Sequence, residues 1–385
     1  MAKLVNVAVK AAAALLLECC IIDSRERTFL ALDHQQPDRL PIDFWSTPGF
    51  DAKLYRELGL SRPQWLDQND VDLRYIAGPA YIGPQLVPLD GSLDQDIFGV
   101  GRQRVTVQTP GGRETYKELA LCPLASSTSA EEIENYRHWP SPDWFDYSGI
   151  EAQCDAIRSA GRIVVFQGDR LNRLAQLKPA MYLRGVEQIF MDLAMNAQIA
   201  AAIFDRIRRF YLAYAERIFT AANGKIDIVL TGDDFGSQNG PLLSPAMWTE
   251  FLAEGFTAYI TLAHSFGLKV MHHTCGGVEP LIPLMIERGL DILQSLQPEA
   301  PGMDPASLKQ RFGRQLSFQG GISIQHTLPH GQTADVDRQV KRAVEALAPG
   351  GGYILGTAHN LQADVPVANA QALFQAYHRY GPYHK

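Results

Sequence analysis

From Asp23 onward, short apolar runs alternate with longer segments whose apolar residues recur every three or four positions. Those two spacings belong to buried strands and to amphipathic helices. The runs Leu40–Trp45, Val71–Ile76, Arg162–Gln167, Ile226–Leu230, Leu268–Thr274, Leu290–Leu296, Leu316–Gly320 and Tyr353–Thr357 read as eight strands. Helical spacing fills the intervals. One helix opens at Asp23-Ser24 and ends near His34, before Pro37; another covers Pro245–His264 behind a Ser244 cap; others cover Val278–Arg288 and Ala334–Leu347. Eight strand-helix units predict an α/β fold with a parallel sheet closed into a (β/α)8 TIM barrel. An open doubly wound sheet is the structural alternative. It normally carries a glycine-rich phosphate fingerprint after its first strand, and Trp45-Ser46-Thr47-Pro48-Gly49 is not one.

One stretch, about 85–143, breaks the rhythm. Arg104–Gln108 and Arg113–Tyr116 alternate about Pro110-Gly111-Gly112, which predicts a β-hairpin inside an insertion after strand two. It would cover either the barrel mouth or a partner interface.

The polar residues of the strands collect at their C-terminal ends, where barrels of this kind place their chemistry. Asp43, Arg74, Tyr75, Gln167, Asp169, Arg170, Asp233, Asp234, Gln294, Gln297, His359 and Asn360 all lie there. His273-Thr274-Cys275-Gly276-Gly277 ends the fifth run. Side chains two apart on a strand share a face, so His273 and Cys275 project together while His272 faces the other way into packing. The pair is either a core histidine beside an inert cysteine or half of a soft-metal site of the zinc type. His359, at the end of strand eight, delivers a third ligand to the same mouth, or else a substrate-facing imidazole. His2Cys leaves one zinc position open, as in catalytic sites. Asp233 or Asp234 would fill it or orient a ligand.

Composition narrows the class. The 385 residues are 46% hydrophobic and 20% charged with net charge −7, and no cluster of Lys and Arg interleaves with aromatics, which argues against nucleic acid. Cys19, Cys20, Cys122, Cys154 and Cys275 are odd in number and scattered, which fits a reducing compartment rather than a disulfide framework. Lys3 and Lys10 precede the run Ala11–Leu17, a weak imitation of a signal peptide that Glu18 interrupts, too short to span a bilayer. Residues 1–22 are therefore expected to be an extension, helical or not, ahead of a single domain at 23–385. The expected protein is soluble and cytoplasmic, without a membrane partner.

The chain resembles the uroporphyrinogen decarboxylase superfamily of (β/α)8 barrels over about Asp23 to Tyr383. The resemblance is carried by Pro37–Asp43, Asp233-Asp234-Phe235-Gly236, the His-Thr-Cys-Gly-Gly motif, Phe318–Ile322 and Gly356–Asn360. Within it, His-x-Cys on this strand is similar to the corrinoid-linked methyltransferase branch, in which zinc activates a thiol that accepts a methyl group. That branch carries a second cysteine where this chain has His359, and the decarboxylases carry an arginine-rich segment where it has Phe44–Pro48.

What the resemblance implies is a methyltransferase with zinc on His273, Cys275 and His359, catalytic carboxylates among Asp233, Asp234 and Asp43, and substrate contacts from Arg74, Tyr75, Asp169, Arg170, Gln297 and Asn360. The chain has no Asp-x-His-x-x-Gly corrinoid signature, so methylcobamide would arrive on a separate corrinoid carrier protein. A small methylated donor is a variant of the same reading. The competing reading is a metal-independent lyase, with Arg74, Arg170 and Arg173 on substrate carboxylates and Asp43 or Asp233 stabilising a cationic intermediate. A third is a barrel that binds a corrinoid protein or tetrapyrrole without catalysis. The oligomeric state stays open, a homodimer included.

Overall fold

The computed structural model describes residues 22–89, 93–109, 111–167 and 173–383. Its centre is a seven-stranded, wholly parallel sheet: β1 Leu73–Ile76, β2 Ile163–Phe166, β3 Ile228–Gly232, β4 Lys269–His273, β5 Ile292–Leu296, β6 Ser317–Ile322 and β7 Tyr353–Thr357. Each strand lies beside its neighbour in sequence, as successive βα units require. The strands β2, β3, β5, β6 and β7 are buried along their whole length, so both faces are covered. Val164, Phe166, Val229, Val270 and Leu293 belong to the core shared with the helices, whereas Leu73, Ile163, Val165, Ile228, Leu230, Met271, Ile292 and Ile354 fill the interior of the curl. The fold is thus α/β and TIM-barrel-like.

The run expected as strand one does not form a strand. Residues 40–45 contribute an isolated bridge between Ile42 and Leu355 of β7. The Leu355 N–H donates to Pro41 O and the Asp43 N–H to Leu355 O, while Ile42 O accepts from the Asp72 and Leu73 N–H groups. The segment therefore reaches both edges of the sheet. No ladder develops toward β1 because the Ile42 N–H is taken by the Asp72 carboxylate at 2.8 Å and Pro41 has no N–H to offer.

Two expected helices are broken. Pro245–Phe251 and Ala253–Ser265 replace one continuous helix, and Val278–Arg288 becomes a 3-10 turn, Glu279–Leu281, followed by Ile282–Glu287. Pro280 and Pro283 remove N–H groups there, which favours short turns over a long helix. The first helix is Ser24–Leu32, capped by the Asp23 carboxylate accepting from the Glu26 N–H at 2.7 Å.

Between β1 and β2 the strands Gly101–Thr109 and Gly112–Leu121 pair antiparallel, and Asp94–Gln95 adds a short third strand. Residues 1–21, including the expected extension with Cys19 and Cys20, lie outside the described residues. Among the described residues no helix is long and apolar enough to cross a membrane.

Candidate metal centre

The inner face of the sheet changes character along its strands. Met271 and Ile292 are apolar, and two residues further along the same face come His273 and Gln294. The period of two that packs the interior therefore aims these polar groups into the mouth. His273 is 3% exposed, and its Nδ1 is hydrogen bonded to Gln294 Oε1. That bond places the ring proton on Nδ1 and leaves the lone pair on Nε2, 3.5 Å from Cys275 Sγ. A tetrahedral zinc with ordinary Zn–N and Zn–S lengths separates its N and S ligands by about 3.5 Å. His273, Cys275 and His359 each offer a ligand atom, all within 4.8 Å of one another.

The chain reverses after Cys275 because Gly276 adopts φ +78°, and a Cβ there would strike the Ser237 backbone. Gln297 Oε1 accepts from the Gly276 N–H at 2.8 Å and from Gln238 Nε2 at 3.1 Å. Its contact is with the turn, not with the cavity. On the far side, Trp45 stacks on the His273 ring at 5.6 Å and meets His359 edge-on at 6.4 Å. His359 Nδ1 accepts from the Asn360 N–H at 2.8 Å.

The electrostatics of the cluster follow from its burial. Burial, then the charges of Arg173 and His359, push His273 well below the usual histidine range, so its imidazole is neutral at pH 7. Burial, reinforced by Asp234, pushes the Cys275 thiol up to about 12. A cation at the site reverses that preference, because a coordinated thiol is deprotonated.

The two adjacent aspartates divide. Asp233 accepts from the Gln176 N–H at 2.6 Å and the Lys178 N–H at 2.7 Å, closing the start of the helix Leu177–Arg184. Burial pushes its carboxyl up to about 7 against those backbone donors. Both oxygens hold the start of that helix, and the carboxylate also borders the cavity at the mouth. Asp234 pairs with Lys178, accepts from the Cys275 N–H at 3.3 Å, and lies 3.7 Å from His273 Nε2. Burial works against its charge, but the Lys178 ammonium and the Cys275 N–H outweigh it and hold the carboxyl below its usual range.

Asp43 sits deeper in the barrel. It accepts from the Tyr75 hydroxyl at 2.8 Å, Gln319 Nε2 at 3.0 Å and the Phe44 N–H at 2.8 Å, and Tyr75 in turn accepts from Trp45 Nε1 at 2.8 Å. Burial pushes Asp43 up to about 6. Neither Asp43 nor Tyr75 lines the cavity at the mouth, which is about 250 Å3 and is bounded by Trp45, Gln167, Arg173, Lys178, Asp233, Asp234, His273, His359 and Asn360. A larger groove of about 730 Å3 between Leu212, Ala258 and Arg288 is open and carries none of these groups.

Arg74 is the clear departure from expectation. Its neighbour Tyr75 points inward, so Arg74 turns outward, donating to Asp67 at 2.8 Å and to the Val71 carbonyl. Asp169 and Arg170 lie outside the described residues. His272 faces outward too, bonded to Thr231 at 2.8 Å and stacked 5.0 Å from Phe235. Lys178 is the residue that sequence reasoning missed. It is remote from any strand end and is returned to the mouth only because Asp233 captures the start of its helix.

Comparison with known proteins fits this architecture. A curated uroporphyrinogen decarboxylase from Sodalis glossinidius is 30% identical over 76 residues, which span 20% of this chain and 21% of that protein. A solved methyltransferase from Methanosarcina mazei superposes with a TM-score of 0.63 at 17% identity, covering 93% of this chain and 99% of the other; at that identity the likeness is one of fold. The family described as Uroporphyrinogen decarboxylase (URO-D) matches residues 176–380, more than half of the sequence and the part that carries Asp234, His273, Cys275 and His359. The chain belongs to the uroporphyrinogen decarboxylase family.

Proposed function

We propose that this protein is a zinc-dependent methyltransferase whose metal is held by His273, Cys275 and His359. The observation that carries the reading is the convergence of their ligand atoms within 4.8 Å at one barrel mouth, with His273 already in the ligating tautomer. Zinc bound there would lower the pKa of a thiol acceptor and present it as a thiolate at neutral pH. The remaining work belongs to side chains. Gln294 fixes the His273 ring, Lys178 holds Asp234 beside the Cys275 backbone, and Trp45 walls the cavity against His273 and His359. Methyl transfer then needs mainly proximity and alignment. The methyl group would come from methylcobamide on a separate corrinoid carrier protein or from a small methylated donor. A cavity of about 250 Å3 suits a small acceptor.

The placement of Arg173 on the same cavity favours one alternative, a lyase acting on a carboxylated substrate. The size of the cavity weighs against a tetrapyrrole as that substrate.

Elemental analysis of protein purified with zinc tests the proposal. We expect about one zinc per chain in the wild type and a small fraction of that in Cys275→Ala and His359→Ala. No zinc in the wild type, or equal zinc in all three, overturns it.

A further inference from the structure

We propose that Glu114, on the hairpin and outside the mouth, is a positioning residue that fixes His359 and Trp45 for metal binding. This rests on the metal reading above. Glu114 stands in the strand Gly112–Leu121 and is 9% exposed, whereas its hairpin neighbours Arg113, Thr115 and Tyr116 are exposed. One carboxylate oxygen, Oε1, accepts from the Thr47 hydroxyl at 2.6 Å and from the Ala363 N–H at 2.7 Å. Those two partners sit on the two segments that carry Trp45 and His359.

The two segments are also joined directly. Ser46 bridges Leu361, the Thr47 N–H donates to Leu361 O, and the Leu361 N–H donates to Trp45 O. Beside them Lys53 is buried and its Nζ donates to the Ala363 and Val365 carbonyls at 3.0 and 2.8 Å. The approach is close enough to demand glycine. A Cβ on Gly49 would fall 2.5 Å from Glu114 Oε1 and 2.6 Å from Arg113 O. A buried carboxylate that adds a side-chain tie between two segments is costly to remove, because its donors are left unpaired. His359 is four residues from Ala363, so loss of that tie frees the ligand it should hold.

The test uses Co(II) as the probe in the full chain, read by its visible absorption spectrum and by competition with a chelator. Glu114→Ala is expected to weaken Co(II) binding about tenfold, the low end for loss of a group that orients a metal ligand. Its spectrum should shift toward that of His359→Ala. Glu114→Gln keeps the accepting oxygen and should restore both readouts, and the exposed Glu118→Ala should leave both at wild-type values. If Glu114→Ala does not fold, Glu114→Asp, which shortens the arm, takes its place with the same expectation.

A folded variant with wild-type affinity and spectrum overturns the inference while leaving the metal site intact. If the wild type takes up no Co(II), the metal reading fails instead. Hydrogen exchange over 359–365 then decides the positioning role: faster exchange in the variant supports it, and unchanged exchange overturns it.

Discussion

At His273 a single hydrogen bond decides which ring nitrogen keeps a free lone pair. Gln294 Oε1 accepts from the Nδ1–H, and the free lone pair on Nε2 faces Cys275. Replacing Gln294 with Leu leaves that N–H without its acceptor, and zinc affinity should fall about 10- to 100-fold, measured by chelator competition. His359 poses the opposite constraint. Its Nδ1 accepts from the Asn360 N–H, so in the neutral ring Nε2 carries the proton. Ligation through Nε2 requires the ring to give up that bond.

Asp43 gives a pH signature of its own. Its folded pKa of about 6 lies above the ordinary 3.8, so between those values the folded chain retains a proton that the unfolded chain has released. Stability therefore falls as pH rises through that window, by about 3 kcal/mol at most for this group. Asp43→Asn should remove that share of the slope. Relative to wild type the variant gains stability between pH 4 and pH 7 in denaturant unfolding, and parallel curves would refute the assignment.

Among the elements, the turn after β4 is the most demanding. Gly276→Ala places a Cβ at φ +78° against Ser237, and should cost about 1–3 kcal/mol and displace Cys275. Thermal unfolding together with zinc content measures both effects. The helix Leu177–Arg184 depends on Asp233 in the same way. Asp233→Ala strips the acceptors from the Gln176 and Lys178 N–H groups and should cost about 1–2 kcal/mol by denaturant unfolding.

Both elements show what the sequence could and could not disclose. The apolar run Leu268–His272 announced β4, and its period of two put His273 and Cys275 on one face. The helix from Leu177 gave no sign of its bond to Asp233, because that contact spans 55 to 57 positions. Leu40–Trp45 read as a strand from its apolar content, yet the Asp72 side chain took the N–H that a ladder needed.

Across the whole molecule, order of strands was legible because successive βα units lie side by side, and the barrel-like curl expected of such units brought His359 of the last strand end to Cys275 of the fourth. The inward or outward sense of each strand was less so: Arg74 faces out because Tyr75 faces in, and a run such as Leu73–Ile76 carries no alternation to decide it. Nor did composition reveal that Glu114, exposed by its neighbours' example, would be buried between two segments of the mouth.

The bridge at Ile42 has a mechanical meaning. Unlike the six ladders between strands, this joint rests on a handful of backbone bonds and one carboxylate. Thermal opening begins where such bonding is thinnest. The curled sheet should therefore loosen first along this seam, and the indole of Trp45, just beyond it, should move when it does. The side of the cavity that faces Trp45 should then yield more readily than the side built by β3, β4 and β5.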